Sequence, residues 1–312
     1  MVRVGLTRGS ESYRAVRQAL ECIGDDVRIP DDRPVLIKPN MVVTSLELAA
    51  TPLGAVRATM DFLTELGVRH FIIGEGTATE GYNTWEGFER YGYLTLKDDY
   101  DVEFRDLHQE ARHVRFEALD RDLQPVQIRL AGLCFDSYVI SIGRMKTHCW
   151  VNVTLSIKNL AIGSIYAFDR QSRNSHAGPG LLSHYPRPMN LILARLYRAN
   201  PPDLAVVDGV VGMEGNGPTD GTAIASGVAL AGTNALAVDL VATGLMGFDY
   251  RTIGYLWYLS QLEDLTPEGI QVLGEDPATC VTRYRPHDNF PQLLDWWVEH
   301  WRDCLAGTHL IA

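Results

Sequence analysis

PVLIKPNMVVTSLELAATPLGAVRATMDFLTELGVRHFIIGEG, residues 34–76, is the stretch from which the fold is read. A short apolar run, Pro34–Ile37, is followed by an amphipathic pattern over Leu53–Leu66 that stops at Gly67. A second apolar run, His70–Ile73, follows. Strand, helix and strand in this order predict two parallel strands joined by a helical crossover.

The same alternation extends outward. Val2–Leu6, Ser137–Ile142, Leu204–Val207 and Val228–Ala231 read as further strands. Ser10–Ile23, with Ser10 as N-cap and Tyr13, Val16, Ala19 and Leu20 on one face, reads as a helix, and so does Asn234–Met246, closed by Gly247. VEFRDL, HVRFEA and PVQIRL, between Val102 and Leu130, alternate at hairpin spacing and predict an antiparallel insert or sheet edge. The expected fold is α/β, a mostly parallel sheet with helices on both faces and a small antiparallel β insert. It is expected to be two-lobed, with lobes of about 1–130 and 131–312 in one unit.

Two stretches resist regular assignment. Gly81–Phe104 crowds together Tyr82, Trp85, Phe88, Tyr91, Tyr93, Tyr100 and Phe104. Ser164–Pro188 is far longer than an ordinary connection of roughly 4–6 residues, and it carries Arg170, Arg173, His176, His184 and Arg187, as a lid over a ligand would. Phe290–Leu305 places Phe290, Leu293, Leu294, Trp297, Trp301, Cys304 and Leu305 at helical spacing. This predicts a Trp-rich helix for core packing or for a homodimer interface.

Composition narrows the function. A net charge of -11 with no basic stripe argues against a nucleic-acid partner. Five scattered Cys form no C-x-x-C pair and suit reduced thiols. No apolar run is long enough for a membrane span and MVRVGLTRGS lacks a signal-peptide core, so a cytoplasmic protein without a membrane partner is expected.

Of the 28 Lys and Arg residues only four are Lys, and three of these, Lys38, Lys146 and Lys158, lie in apolar-flanked motifs. A compact ammonium whose pKa falls on burial does what a planar, always-charged guanidinium cannot. Lys38 and Asn40 follow the first strand of the opening stretch, and Glu75 follows the second between two glycines. Asp208 closes DLAVVDG, and polar residues at such strand ends are where ligands bind in open parallel sheets. The densest motif is SIGRMKTHCWVNVTLSIKNLAIG, residues 141–163, with Lys146, His148, Thr154, Lys158 and Asn159. Its second half reads equally as strand or as helix, and both put Thr154 and Lys158 on one side. Glu214 and Gly215 lie in a Gly-rich loop able to offer N–H groups to an anion. Asp239, in the apolar helix, needs a partner, either a Lys or an N–H of that loop.

Taken in order, K-P-N at Lys38–Asn40, K-T-H at Lys146–His148, T-x-x-x-K-N-x-x-x-G at Thr154–Gly163, His176, and D-G…E-G-x-G-P from Asp208 to Pro218 resemble the DUF362 family from about Pro34 to Met246. Many members of that family carry a ferredoxin-type cluster domain; this chain has no cysteine quartet. Stand-alone members occur as tailoring enzymes in biosynthetic gene clusters, which is the setting the resemblance implies.

The expected function is a small-molecule enzyme of lyase, isomerase or decarboxylase type, acting on an anionic or carbonyl substrate without an organic cofactor. Lys38, Lys146 and Lys158 would bind and activate the substrate, with His148 as acid and base, and Glu75 and Asp208 orienting the lysines. Two other readings stay open. One is a divalent metal held by His148, His176, Glu75, Asp208 and Glu214. The other is a non-catalytic carboxylate- or phosphate-binding protein.

Overall fold

The computed structural model describes residues 1–78, 83–166 and 185–311. In chain order these form β1 (Val2–Arg8), α1 (Ser12–Cys22), β2 (Val35–Lys38), α2 (Leu53–Glu65), β3 (His70–Glu75), α3 (Thr84–Arg90), β4 (Asp101–Asp106), β5 (His113–Leu119) and β6 (Pro125–Ala131). There follow α4 (Leu133–Asp136), β7 (Tyr138–His148), β8 (Asn152–Thr154), α5 (Ser156–Gly163), α6 (Pro186–Ala199), β9 (Leu204–Asn216), β10 (Asp220–Ile224) and β11 (Val228–Gly232). The chain continues through α7 (Ala235–Leu245), α8 (Gly254–Glu263), β12 (Ile270–Gly274) and β13 (Leu310–Ile311).

Among the described residues the main sheet has ten strands, with the path β12-β1-β11-β9-β7-β2-β3-β4 and with β8 and β10 pairing as hairpins on β7 and β9. From β4 to β9 the ladders are parallel, and β11 is antiparallel to both β9 and β1. The first strand of the chain, β1, pairs with β11 and β12, and β2 pairs with β7, so residues 1–130 and 131–312 interleave in one continuous sheet.

Alternate residues of the parallel strands feed opposite faces. Ile37, Ile73, Ile140 and Val206 pack under α1 and α2. Leu36, Ile72 and Val139 face Leu160 of α5, while Val207 and Leu230 meet α6, α7 and α8. Helices thus cover both faces, as the alternation predicts.

Several expectations are corrected. The helix predicted from Ser10 begins at Ser12, and its cap residue is Glu11, which makes no side-chain capping bond. The expected antiparallel insert is present as HVRFEA and PVQIRL paired with β13, and VEFRDL is a sheet edge, the parallel strand β4. Gly81–Phe104 is largely regular over its described part: α3 is followed by a 3-10 turn, Tyr93–Asp98, and then by β4. Tyr82 and most of the proposed lid, residues 167–184 with Arg170, Arg173, His176 and His184, lie outside the described residues.

Phe290–Leu305 is not one helix but two single turns, Phe290–Leu293 and Trp301–Cys304. The Tyr258 hydroxyl explains the break. It donates to the Trp296 carbonyl at 3.0 Å and accepts the Val298 N–H at 3.1 Å, diverting backbone groups a helix would have used. Trp296 and Trp301 are buried against Trp257 and Tyr258 of the same chain.

Two strands outrun their predicted ends. β7 continues through His148, and β9 continues through Asn216. In the sequence Asp208-Gly209 looks like a strand's end and Gly212 like part of a loop. In β9 they are instead sites of close approach, where an added Cβ would press on Met145 and overlap the Tyr284 hydroxyl. Asp208 is therefore mid-strand.

Gly5 of β1 lies against α1, where a Cβ would overlap the Ala19 carbonyl oxygen. Gly5→Ala is expected to lower stability by about 1–3 kcal/mol, as overpacking does, measured by urea denaturation.

Candidate functional site

The 320 Å³ cleft lies where β2, β3 and the β7–β8 hairpin end beside α5. It is lined by Asn40, Glu75, His148, Thr154, Lys158 and Asn159, with apolar walls from Met41, Val42, Trp150, Ile162 and Met189. Six of the residues singled out in the sequence thus share one cavity.

Lys38 lies beneath it, fully buried. Its ammonium donates to Glu75 Oε2 at 2.6 Å, to the Pro39 carbonyl at 2.8 Å and to Asn159 Oδ1 at 3.1 Å. Three donors meet three acceptors, so the ammonium is paired inside the fold beneath the cleft, whereas the sequence places it among the groups that bind and activate a substrate. Glu75 is equally occupied: Oε2 also accepts the Met41 N–H and Oε1 accepts the Gly76 N–H. A Cβ on Gly163 would overlap Lys38 Cε and Nζ, so the glycine of the K-N-x-x-x-G motif makes room for this ammonium.

Asn159 passes the network on. Its Oδ1 accepts from Lys38 and from Asn40 Nδ2, while its Nδ2 donates to the Lys38 carbonyl and to Ser141 Oγ. Asn40 Oδ1 then accepts from Lys146, which also donates to the Ala49 carbonyl. Both of these partners are neutral oxygens. Burial holds the Lys146 pKa well below the ordinary lysine value, and the charges of Lys158 and then Arg144 push it further down. Lys146 contributes to the cleft from behind and does not line it.

On the β7–β8 hairpin, Lys146 stands opposite Thr154 and His148 opposite Asn152. The Trp150 N–H donates to His148 Nδ1 at 3.1 Å, which assigns the ring proton of the neutral imidazole to Nε2. Lys158 sits in the first turn of α5, where the helix dipole opposes a cation. Asp239 of α7 offsets this. Its carboxylate accepts the N–H groups of Ser156 and Ile157 and the Ser156 hydroxyl, while burial pushes its pKa up to about 7. The partner sought for Asp239 is therefore the start of α5, not a lysine and not the Gly-rich loop.

Asp208, Glu214 and Gly215 stand away from the cleft. Asp208 Oδ1 accepts the Val210 N–H, and burial raises its pKa. It orients no lysine, because β9 carries it along the ladder beside Arg144. Glu214 accepts the Arg285 N–H, and the Gly215 N–H donates to the Arg285 carbonyl, so the loop is a closed β9–β10 hairpin rather than an anion cradle. It delivers Pro218 and Thr219 to the cleft instead. Of the residues in the metal reading, His148 and Glu75 line the cleft, Asp208 and Glu214 do not, and His176 lies outside the described residues. Among the described residues no group of three or more His, Cys, Asp or Glu is placed to hold a metal ion.

Fold and site define an α/β protein with a lysine-centred cleft at one edge of its sheet. Residues 35–244 match the family described as "Domain of unknown function (DUF362)", and the chain belongs to that family. It is 29% identical over 247 residues to the thylakoid-associated protein sll1697 of Synechocystis, covering 78% of this chain and 71% of that protein. Among solved structures it is similar to the lactate racemase apoprotein of Thermoanaerobacterium thermosaccharolyticum, with a TM-score of 0.48 and 12% identity over 79% of this chain. A structural-genomics target from Thermotoga maritima gives a TM-score of 0.43 at 12% identity over 66% of this chain. The match spans 57% and 52% of those two chains. No helix among the described residues is long and apolar enough to cross a membrane.

Two outcomes follow from the buried lysines. Lys38→Met is expected to cost about 3–5 kcal/mol, because it strands the Glu75 carboxylate. Lys38→Met with Glu75→Gln should lose less than the sum of the single changes in urea denaturation. The unfolded chain holds the Lys146 proton at pH values where the folded chain has released it, so this residue makes stability rise with pH up to its ordinary value of 10.5. The stability advantage of wild type over Lys146→Met should therefore widen from pH 7 to pH 10, and a pH-independent gap would contradict the lowered pKa.

Proposed function

We propose that the protein is a small-molecule enzyme of lyase, isomerase or decarboxylase type that polarises a carbonyl group in this cleft. Lys158 and His148 would hold the carbonyl oxygen, one with an ammonium and the other with Nε2–H. When a C–carboxylate bond next to the carbonyl breaks, carbon dioxide leaves; when a C–H bond breaks, its proton passes to a water molecule in the cleft. In either case the electron pair of the broken bond moves to the carbonyl oxygen as an enolate, and a proton returned from water to the carbon completes the reaction. Donors already aimed at the developing charge lower the barrier without reorganising.

The observation that supports this reading is the meeting of Lys158, His148 and Thr154, each buried, on one cavity. Behind them, the hydrogen-bond partners of Lys146 among the described residues are neutral oxygens. The His148 tautomer refines the role expected for it. Its Nδ1 lone pair is engaged by the Trp150 N–H, so the neutral ring offers a hydrogen and not a base. In this reading His148 is an electrophilic donor, comparable to the neutral imidazole that polarises a carbonyl in other enzymes.

Enolisation can be read without knowing the natural substrate. Pyruvate, phenylpyruvate and oxaloacetate in D₂O should exchange their C3 hydrogens faster with the protein than in buffer, followed by NMR. Lys158→Met should abolish the acceleration, and Lys158→Arg should restore it only in part, since a guanidinium cannot take the same compact position. His148→Gln, which keeps a donor, should retain more than His148→Ala. Exchange no faster than in buffer with all three compounds would count against the reading, and a cyanoborohydride-trapped adduct at Lys158 would replace the enolate route with an iminium one.

A further inference from the structure

Thr154 is an anomaly of the free protein. Its side chain is 2% exposed and faces the cleft, yet its hydroxyl has no hydrogen-bond partner among the described residues. A buried hydroxyl without a partner is a net cost to folding, and a valine of the same shape would avoid it. Its cross-strand neighbour is Lys146, and Lys158 lines the same cavity one turn into α5. A buried hydroxyl and a lysine of low exposure on the wall of one cavity, with a second lysine behind that wall, describe a receptor for an oxyanion.

The nearest negative charge does not oppose this. Glu75 also lines the cavity, but its two oxygens are taken by Lys38, Met41 N–H and Gly76 N–H. The rest of the wall is different in kind: Met41, Val42, Trp150, Ile162 and Met189 supply thioether, aliphatic and indole surface. Such a wall wins nothing from a small hydrated anion but gains from an apolar body. At 320 Å³ the space is at the small end of ligand pockets, about 300–1,000 Å³.

We propose that the ligand of this cleft is an apolar-bodied monocarboxylate, its carboxylate held by Thr154 Oγ1 and by Lys158, whose ammonium is shared with the neighbouring carbonyl oxygen, and its aromatic or branched hydrocarbon body lying against Trp150, Ile162 and Met189. This deepens the reading above by naming the substrate class, and it concerns the same cavity. Thr154 is a specificity residue here, and its hydroxyl is kept at the expense of the empty protein's stability.

The test uses 3-phenylpropionate, which has the proposed shape but no reactive carbonyl, so binding is measured apart from catalysis. Calorimetric titration of the intact protein should give a dissociation constant at least about tenfold below those of acetate, inorganic phosphate and 3-phenylpropanol. Thr154→Val should weaken 3-phenylpropionate by about tenfold or more, while its ligand-free melting temperature stays equal to or above that of wild type. That pair of changes separates ligand recognition from a structural role, which would move stability in the opposite direction. Acetate or phosphate binding as tightly as 3-phenylpropionate would overturn the proposal. So would absence of 3-phenylpropionate binding to the folded wild type, or unchanged affinity in Thr154→Val. Binding without hydrogen exchange would leave this inference standing and remove the enolisation reading; exchange without such binding would do the reverse.

Discussion

An ammonium group sealed from water governs the architecture of this cleft. Transferring the Lys38 charge into the interior costs several kcal/mol unless every donor is answered. The surrounding sequence answers each one: Glu75 from the next strand, Asn159 from α5 and the Pro39 carbonyl at the strand's own end. Those demands fix the distance between β2, β3 and α5. They also leave room for no side chain at Gly163, so a pair of charges and one glycine together set where α5 lies against the sheet.

Around this satisfied centre the other positive groups are left less comfortable. Lys146 is held by neutral oxygens, Arg144 is buried with its pKa drawn down, and Lys158 occupies the wrong end of a helix for a cation. Local strain in polar groups of this kind gathers at functional sites, where stability is given up for readiness. Lys38 and Lys146 therefore contrast: one is paired with a carboxylate inside the fold, the other meets neutral oxygens and has its proton loosened by burial.

Much of the fold was legible because its apolar residues recur with a period that backbone geometry enforces. Leu36 and Ile37 go to opposite faces of β2, and Gly67 and Gly247 close helices with positive φ. The rarity of Lys led to Lys146 and Lys158, and the i, i+4 relation of Thr154 and Lys158 survived a change from strand to helix between them. Long-range pairing was not legible. Asp208-Gly209 and Glu75-Gly76 use the same local grammar, yet one is mid-strand and the other at the cleft, because only tertiary packing of Met145 and Tyr284 decides whether a glycine ends a strand or lets a neighbour in. The break in the Trp-rich segment depends on a single hydroxyl, Tyr258, that lies more than thirty residues earlier in the chain. The His148 tautomer likewise rests on a backbone N–H whose direction no composition or spacing encodes.

The bond from Asp239 to the first turn of α5 also bears on how the molecule comes into being. The helix that presents Lys158 receives its capping carboxylate from a residue synthesised some eighty positions later. During translation the elements that surround the cleft emerge well before the group that anchors one of its walls, so the cavity acquires its final outline only after α7 has left the ribosome.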